Sequence, residues 1–225
     1  MGRLGVGLLG CLVVIVVVAL IAGVWFIGTR NHFVTLDENV NQQWAQVQSQ
    51  YQRRYDLIPN LVRTVQGAAN FEKSTLQAVV DARSRVGQVQ APPAGGPPTA
   101  SSLPNDPNRM AQFAAAQDQL SGALSRLLVV VERYPDLKSN QNFLELQSQL
   151  EGTENRIAVE RKRYNDVVAT YNTAIKKFPA SVVAGSKFPE KAYFRGTAGS
   201  EKAPEVNFNF GGTSSAPAPA SATGT

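Results

Sequence analysis

The chain has 225 residues, with 22 Lys+Arg against 17 Asp+Glu, one histidine and one cysteine. A single cysteine excludes an intramolecular disulfide. One histidine excludes H-E-x-x-H, Cys/His zinc sites and the dinuclear sites of helical bundles, which need Glu-x-x-His on two helices.

The first predicted element is the apolar run Leu4–Ile27. It has no charged side chain over about 24 residues, enough to cross a bilayer core at roughly 1.5 Å per helical residue. A cleaved secretory signal has an apolar region of about 7–15 residues and small residues at its cleavage site. This run is longer, and no A-x-A spacing occurs around Ala19–Gly23. Leu8-Leu9-Gly10-Cys11 resembles a lipid-attachment box, but the stretch before Cys11 is short and the longer apolar part follows it. The expectation is an uncleaved anchor over residues 1–28, meeting membrane lipids through residues 4–27, with Trp25 at the interface. Only Arg3 and Arg30 flank the run closely, so Lys/Arg asymmetry leaves the orientation tied.

Next comes a stripe of apolar and aromatic residues: Phe33, Leu36, Val40, Trp44, Val47, Tyr51, Tyr55, Ile58, Val62 and Val65. Steps of three or four residues mark one face of a helix. The stripe keeps its register across Pro59, which predicts a kink rather than two helices. Asn70 reads as a cap before a shorter helix bearing Phe71, Leu76, Val79, Val80 and Val86. Residues 88–108 are rich in Pro and Gly and predict a loop. Helical spacing returns with Met110, Phe113, Gln117, Leu120, Leu124, Leu127, Leu128 and Val131, and stops at Tyr134-Pro135. A last long helix is expected from about Ser139. Its stripe is Phe143, Leu146, Leu150, Thr153, Ile157, Arg161, Tyr164, Val168, Tyr171, Ile175 and Phe178, with Pro179 closing it. A mean step near 3.5 suits helices packed at shallow angles, as in a bundle or coiled coil. Glu205–Phe210 alternates like a short strand, expected to lie on the bundle or pair near Tyr193-Phe194. The uncharged residues after it read as disordered.

The predicted fold is therefore all-α: a single N-terminal transmembrane helix, an antiparallel, four-helix bundle over residues 29–199, and an extended, disordered tail over 200–225. Two polar words interrupt the stripes. Arg53, Arg54, Asp56 and Asn60 flank the first, and Thr153, Glu154, Asn155 and Arg156 the last. One reading is a hydrogen-bonded polar layer that sets register, since a buried polar group needs a partner and forbids slipped pairings. The other is a recognition surface for a partner protein or a small anionic ligand. If the first and last helices run antiparallel from Phe33 and Phe178, Asp56 falls level with Asn155, and Arg54–Glu154 or Asp56–Arg156 becomes a natural ion pair.

Several ordered words resemble the LemA family of bacterial membrane-anchored helical proteins: Arg53-Arg54-Tyr55-Asp56-Leu57-Ile58-Pro59-Asn60-Leu61, Leu120-Ser121-Gly122-Ala123-Leu124, Glu132-Arg133-Tyr134-Pro135, Gly152-Thr153-Glu154-Asn155-Arg156-Ile157, Arg163-Tyr164-Asn165, Tyr171-Asn172 and Phe178-Pro179. The resemblance spans about Asn31 to Phe210. It implies an antiparallel helical bundle behind one membrane helix and no established enzyme activity. The chain departs from it at residues 91–108, where relatives tend to stay helical.

Catalytic groups are scarce. His32 lies at the membrane boundary, Cys11 lies inside the apolar run, and no G-x-x-x-x-G-K-[ST] occurs. The charge excess is small and the aromatics sit on core stripes, which disfavours nucleic acid as a partner. The expected role is a membrane-anchored helical scaffold or interaction protein of the bacterial cell membrane, single-pass, with a protein partner still to be named and without enzyme activity, metal or cofactor. The alternative is a ligand- or lipid-sensing module coupled to the membrane helix. Homo-oligomerisation is left open.

Overall fold

The computed structural model describes residues 2–67, 71–90 and 100–195. Helix α1 runs without interruption over Gly2–Gln66, 65 residues or about 98 Å at 1.5 Å per residue. Its early part leaves Leu12, Ile15, Leu20, Ile21, Val24 and Ile27 exposed. Among the described residues it is the one helix long and apolar enough to cross a membrane. Past Ile27 the same helix acquires the predicted stripe, and Phe33, Val40, Trp44, Val47, Tyr51, Ile58, Val62 and Val65 are buried.

Five further helices and one 3-10 turn follow among the described residues. They are α2 (Lys73–Gln90), a 3-10 turn (Ala100–Asn105), α3 (Pro107–Val131), α4 (Pro135–Lys138), α5 (Gln141–Lys176) and α6 (Ala180–Ala184). Helices α3 and α5 start on polar caps. Asp106 accepts from the amides of Asn108 and Arg109, with Pro107 in the first turn, where its missing N–H costs nothing. Asn140 accepts from the amides of Asn142 and Phe143. No strand occurs among the described residues.

The largest interface joins α1 to α5, and the next joins α2 to α3. Along the first, α1 numbers fall as α5 numbers rise: Arg54 meets Glu154, and Trp44 meets Tyr164. Along the second, Glu72 meets Arg133 and Arg85 meets Gln119. Both pairs are antiparallel.

Two apolar clusters make up the core. The one far from the apolar stretch holds Ile58–Val65 of α1, Leu76–Val86 of α2, Ala116–Val131 of α3, and Phe143 and Leu150 of α5. The near one holds Phe33–Tyr51, Met110–Ala114 and Ile157–Ile175, with Leu103, Ala184, Ala192 and Phe194. Among the described residues, helix α2 joins the near cluster only through Val89. It is 18 residues, about 27 Å, and too short to line both clusters. Its place in the near cluster is taken by the 3-10 turn and by an extended segment, residues 189–195, which helical spacing does not mark.

Several expectations need correcting. Phe178 does not close the α5 stripe: the helix ends at Lys176, and the Phe178 ring is 84% exposed. Val80 is exposed and Ala82 buried instead, while Phe71 packs on the core from just before α2. The segment expected as a loop over 88–108 is helical to Gln90, turns as a 3-10 helix from Ala100, and enters α3 at Pro107. Asn70, residues 91–99, the strand expected at Glu205–Phe210 and the tail lie outside the described residues.

Proline has a specific consequence in α1. Pro59 sits inside the helix and cannot donate to the carbonyl of Tyr55, four residues back. Arg83 of α2 takes up that acceptor, its Nε donating to Tyr55 O at 3.3 Å. The same guanidinium lies 3.8 Å from the centroid of the Tyr55 ring. A bond lost within α1 thus becomes a bond between α1 and α2.

Candidate functional site

The polar layer stands between the two apolar clusters. Arg54 on α1 is 1% exposed, below Ile58 of one cluster and above Tyr51 of the other. Its Nη1 donates to Glu154 at 2.5 Å and to Ser121 Oγ at 2.7 Å. Its Nη2 donates to the carbonyl of Gln117 at 3.3 Å and to the Gln117 side-chain oxygen. The cation therefore ties α1 to α3 and α5 at one height. Thr153 is fully buried beside it and spends its hydroxyl on Gln149 O, within its own helix. A slip of one helical turn, about 5.4 Å, would break every interhelical bond that Arg54 makes.

The other residues of the two polar words do not join this layer. Arg53, Asp56, Asn60, Asn155 and Arg156 are exposed. Asp56 accepts from Gln52, Asn60 from Arg63, and Arg156 donates to Gly152 O. Of the two ion pairs expected, Arg54–Glu154 is present, while Asp56 and Arg156 each bond within their own helix. Two α3 residues outside the polar words, Gln117 and Ser121, complete the site. Gln117 was legible as a polar member of the α3 stripe.

Beside the layer lies an aromatic group. Trp44 and Phe113 pack edge-on with centroids 5.6 Å apart, Tyr51 and Phe113 at 5.1 Å, and Phe194 closes the group 6.1 Å from Tyr51. Burial pushes the Tyr51 hydroxyl up to about 12, although the Arg161 and Arg54 cations pull the other way. Among the described residues the hydroxyl has no hydrogen-bond partner. Arg161, the second polar guest of the α5 stripe, lies over the Phe194 ring at 4.0 Å and near Asp118 at 3.8 Å.

A second device holds the extended segment 189–195 on α5. Two Tyr-Asn pairs, Tyr164-Asn165 and Tyr171-Asn172, are seven residues apart and share a helix face. Tyr171 and Tyr164 donate to the carbonyls of Pro189 (3.0 Å) and Ala192 (2.8 Å). Asn172 brackets Lys191, donating to its carbonyl and accepting from its amide, both at 2.9 Å. Asn165 does the same for Phe194, at 2.9 and 2.8 Å. The side-chain amides replace the edge of a sheet. Lys191 itself is 4% exposed; its Nζ reaches Asp37 on α1 at 2.5 Å and Asn105 at 2.7 Å. Burial pushes the Tyr171 hydroxyl up to about 12, and the Asp37 carboxylate adds to this. Tyr164 is pushed up further by burial alone.

Among the described residues no three His, Cys, Asp or Glu side chains converge as metal ligands would. What the arrangement does chemically is to set register between helices and to fasten a chain segment. It defines an all-helical protein built on one long helix with an apolar, exposed beginning.

Comparison with known proteins places it further. The chain belongs to the LemA family, whose family model matches residues 43–208. It is 30% identical over 207 residues to magnetosome proteins MamQ 2 and MamQ 1 of Paramagnetospirillum magneticum, covering 86% of this chain and 75% of each relative. It is likewise 30% identical over 189 residues to magnetosome protein MamQ of Magnetospirillum gryphiswaldense, covering 79% of this chain and 68% of the relative.

Proposed function

We propose that the protein is a single-pass, membrane-anchored helical scaffold of the bacterial envelope, presenting a bundle for a protein partner. The observation that supports this reading most is the continuity of α1: one helix carries both the exposed apolar stretch and the buried stripe Phe33–Val65. Anchor and core wall are then a single stiff element, and the Arg54 layer fixes the other helices to it. Packing of α1, α2, α3 and α5 in antiparallel pairs is read as a bundle of the coiled-coil kind in the half away from the anchor. Family membership and the likeness to magnetosome proteins support membrane association. In this reading the role is binding rather than catalysis, and the partner is a protein rather than a nucleic acid.

Photo-crosslinking from the full-length chain in native membranes tests it. Crosslinkable residues at the exposed apolar positions Val80, Val129, Leu144 and Val159 should yield discrete protein adducts at one group of positions and not at the others. No protein adduct at any position would overturn the scaffold reading and favour a lipid-sensing module. That second reading is supported by a groove of about 950 Å³ between α1 and the end of α5, beside the exit of the apolar stretch.

A further inference from the structure

Helix α1 leaves its apolar stretch at Ile27, which sets the height of a bilayer surface along the molecule. Gly28, His32 and Phe33 form one wall of the groove at this level, and Thr173, Ala174 and Lys177 form the other. The end of α5 therefore stands beside the first two turns of α1 beyond Ile27, within about 9 Å along the axis. Phe188 is at the same height, its ring 5.3 Å from that of Phe33. Headgroup regions are about 5–8 Å thick on each side of the hydrocarbon, so the turn from α5 into α6 falls at headgroup depth.

The side chains there match that depth. Ala180, Val183 and Ala184 pack on the near cluster, yet Phe178 is 84% and Val182 74% exposed. Lys177 and Lys187 flank them and are exposed, as is Arg30 on α1. Lys176 is engaged with Glu190, and Asp37, the first acid on α1, with Lys191. Two exposed, bulky apolar side chains with exposed cations close by in the chain have the composition of an interfacial segment. We propose that this turn is a second membrane contact, in which Phe178 and Val182 enter the headgroup–acyl boundary of an anionic bilayer and Lys177, Lys187 and Arg30 meet lipid phosphates. The contact rests on the reading of α1 as the anchor. With two points of attachment, the bundle is held at a fixed tilt to the surface.

The full-length chain carrying Cys11→Ser and Val182→Cys, labelled with an environment-sensitive fluorophore, tests this in vesicles of phosphatidylcholine and phosphatidylglycerol. The label should be quenched by lipids with a nitroxide near the headgroup, while the same label after Val129→Cys, 71% exposed in the far half, should not. Lys177→Gln or Lys187→Gln should lower the docked fraction's equilibrium constant by about fivefold each. Equal behaviour of positions 182 and 129 would overturn the contact, and unchanged quenching in phosphatidylcholine alone would overturn its anionic component. A third label, after Val17→Cys, separates the two readings. If it is quenched by deep nitroxides while position 182 is not, only the contact fails; if it is not quenched, the anchor itself fails.

Discussion

Replacing Arg54 by methionine removes a buried side chain that bonds α1 to both α3 and α5. Breaking a buried ion pair from one side typically costs 3–5 kcal/mol, because a charge or polar group stays behind without a partner. Here Glu154 is 40% exposed and can return to water, whereas Gln117 is 2% exposed and its side chain cannot. The lower end of the range applies, about 3 kcal/mol for Arg54→Met. Glu154→Gln should cost less, about 1–2 kcal/mol, since Arg54 keeps Ser121 and Gln117 as neutral acceptors. In a chain of this size 1 kcal/mol moves the melting temperature by about 2–4 °C. Arg54→Met should therefore lower it by about 6–12 °C, followed by far-UV circular dichroism of the full-length protein in detergent micelles. Asp56→Ala, two residues away on the exposed face, should stay within about 0.5 kcal/mol of the parent. The double variant Arg54→Met/Glu154→Gln should be less destabilised than the sum of its parts. A melting temperature for Arg54→Met within about 2 °C of the parent would refute the idea that this layer sets register.

Three more outcomes are expected. Asn172→Ala removes two buried bonds to Lys191 and should cost about 2 kcal/mol, with residues 189–195 becoming the first site of protease cleavage; unchanged cleavage would show that the segment is held otherwise. Pro59→Ala returns a helical donor to Tyr55 O and takes that acceptor from Arg83, so the cost of Arg83→Met should shrink in the Pro59→Ala background, as amide exchange in α2 would report. Tyr51 ionises at about 10 when unfolded and at about 12 when folded, so the folded state keeps a proton that the unfolded state gives up. Its contribution is complete below pH 10 and is lost as pH rises toward 12, at up to about 1.4 kcal/mol per pH unit. Tyr51→Phe should flatten that alkaline loss and, by deleting a hydroxyl without a partner, raise neutral-pH stability by up to about 1 kcal/mol; a loss of stability at neutral pH would contradict it.

The helices were legible because burial imposes its own period on a chain. Phe33 to Val65 and Phe143 to Ile175 alternate at helical spacing, and antiparallel pairing of those two stripes was enough to bring Arg54 to Glu154. Register survived Pro59 for the same reason. Elsewhere a stripe does not reveal its neighbour. Nothing in the spacing of α2 states that it stops short of the near cluster, because that depends on where the chain re-enters at Pro107. The docking of the extended segment on α5 was not legible because its backbone is satisfied by side chains rather than by a strand. Its signal was the repeat of Tyr-Asn seven residues apart in α5. Phe178 misled because its spacing fits the stripe although the helix has already ended, at Lys176. The partner of the Tyr55 carbonyl could have been sought once Pro59 was placed inside a helix, yet only the fold shows that Arg83 supplies it.

The proposed anchoring requires α1 to be one unbroken helix from its apolar stretch to the bundle. Spin labels introduced by Val17→Cys and Arg53→Cys in a Cys11→Ser background span 36 residues of α1 on the near side of Pro59. In lipid nanodiscs a continuous helix predicts a single, narrow distance distribution centred at about 54 Å before label linkers are added. A broad distribution centred well below that value would mean a hinge between the apolar stretch and the bundle, and would contradict the account.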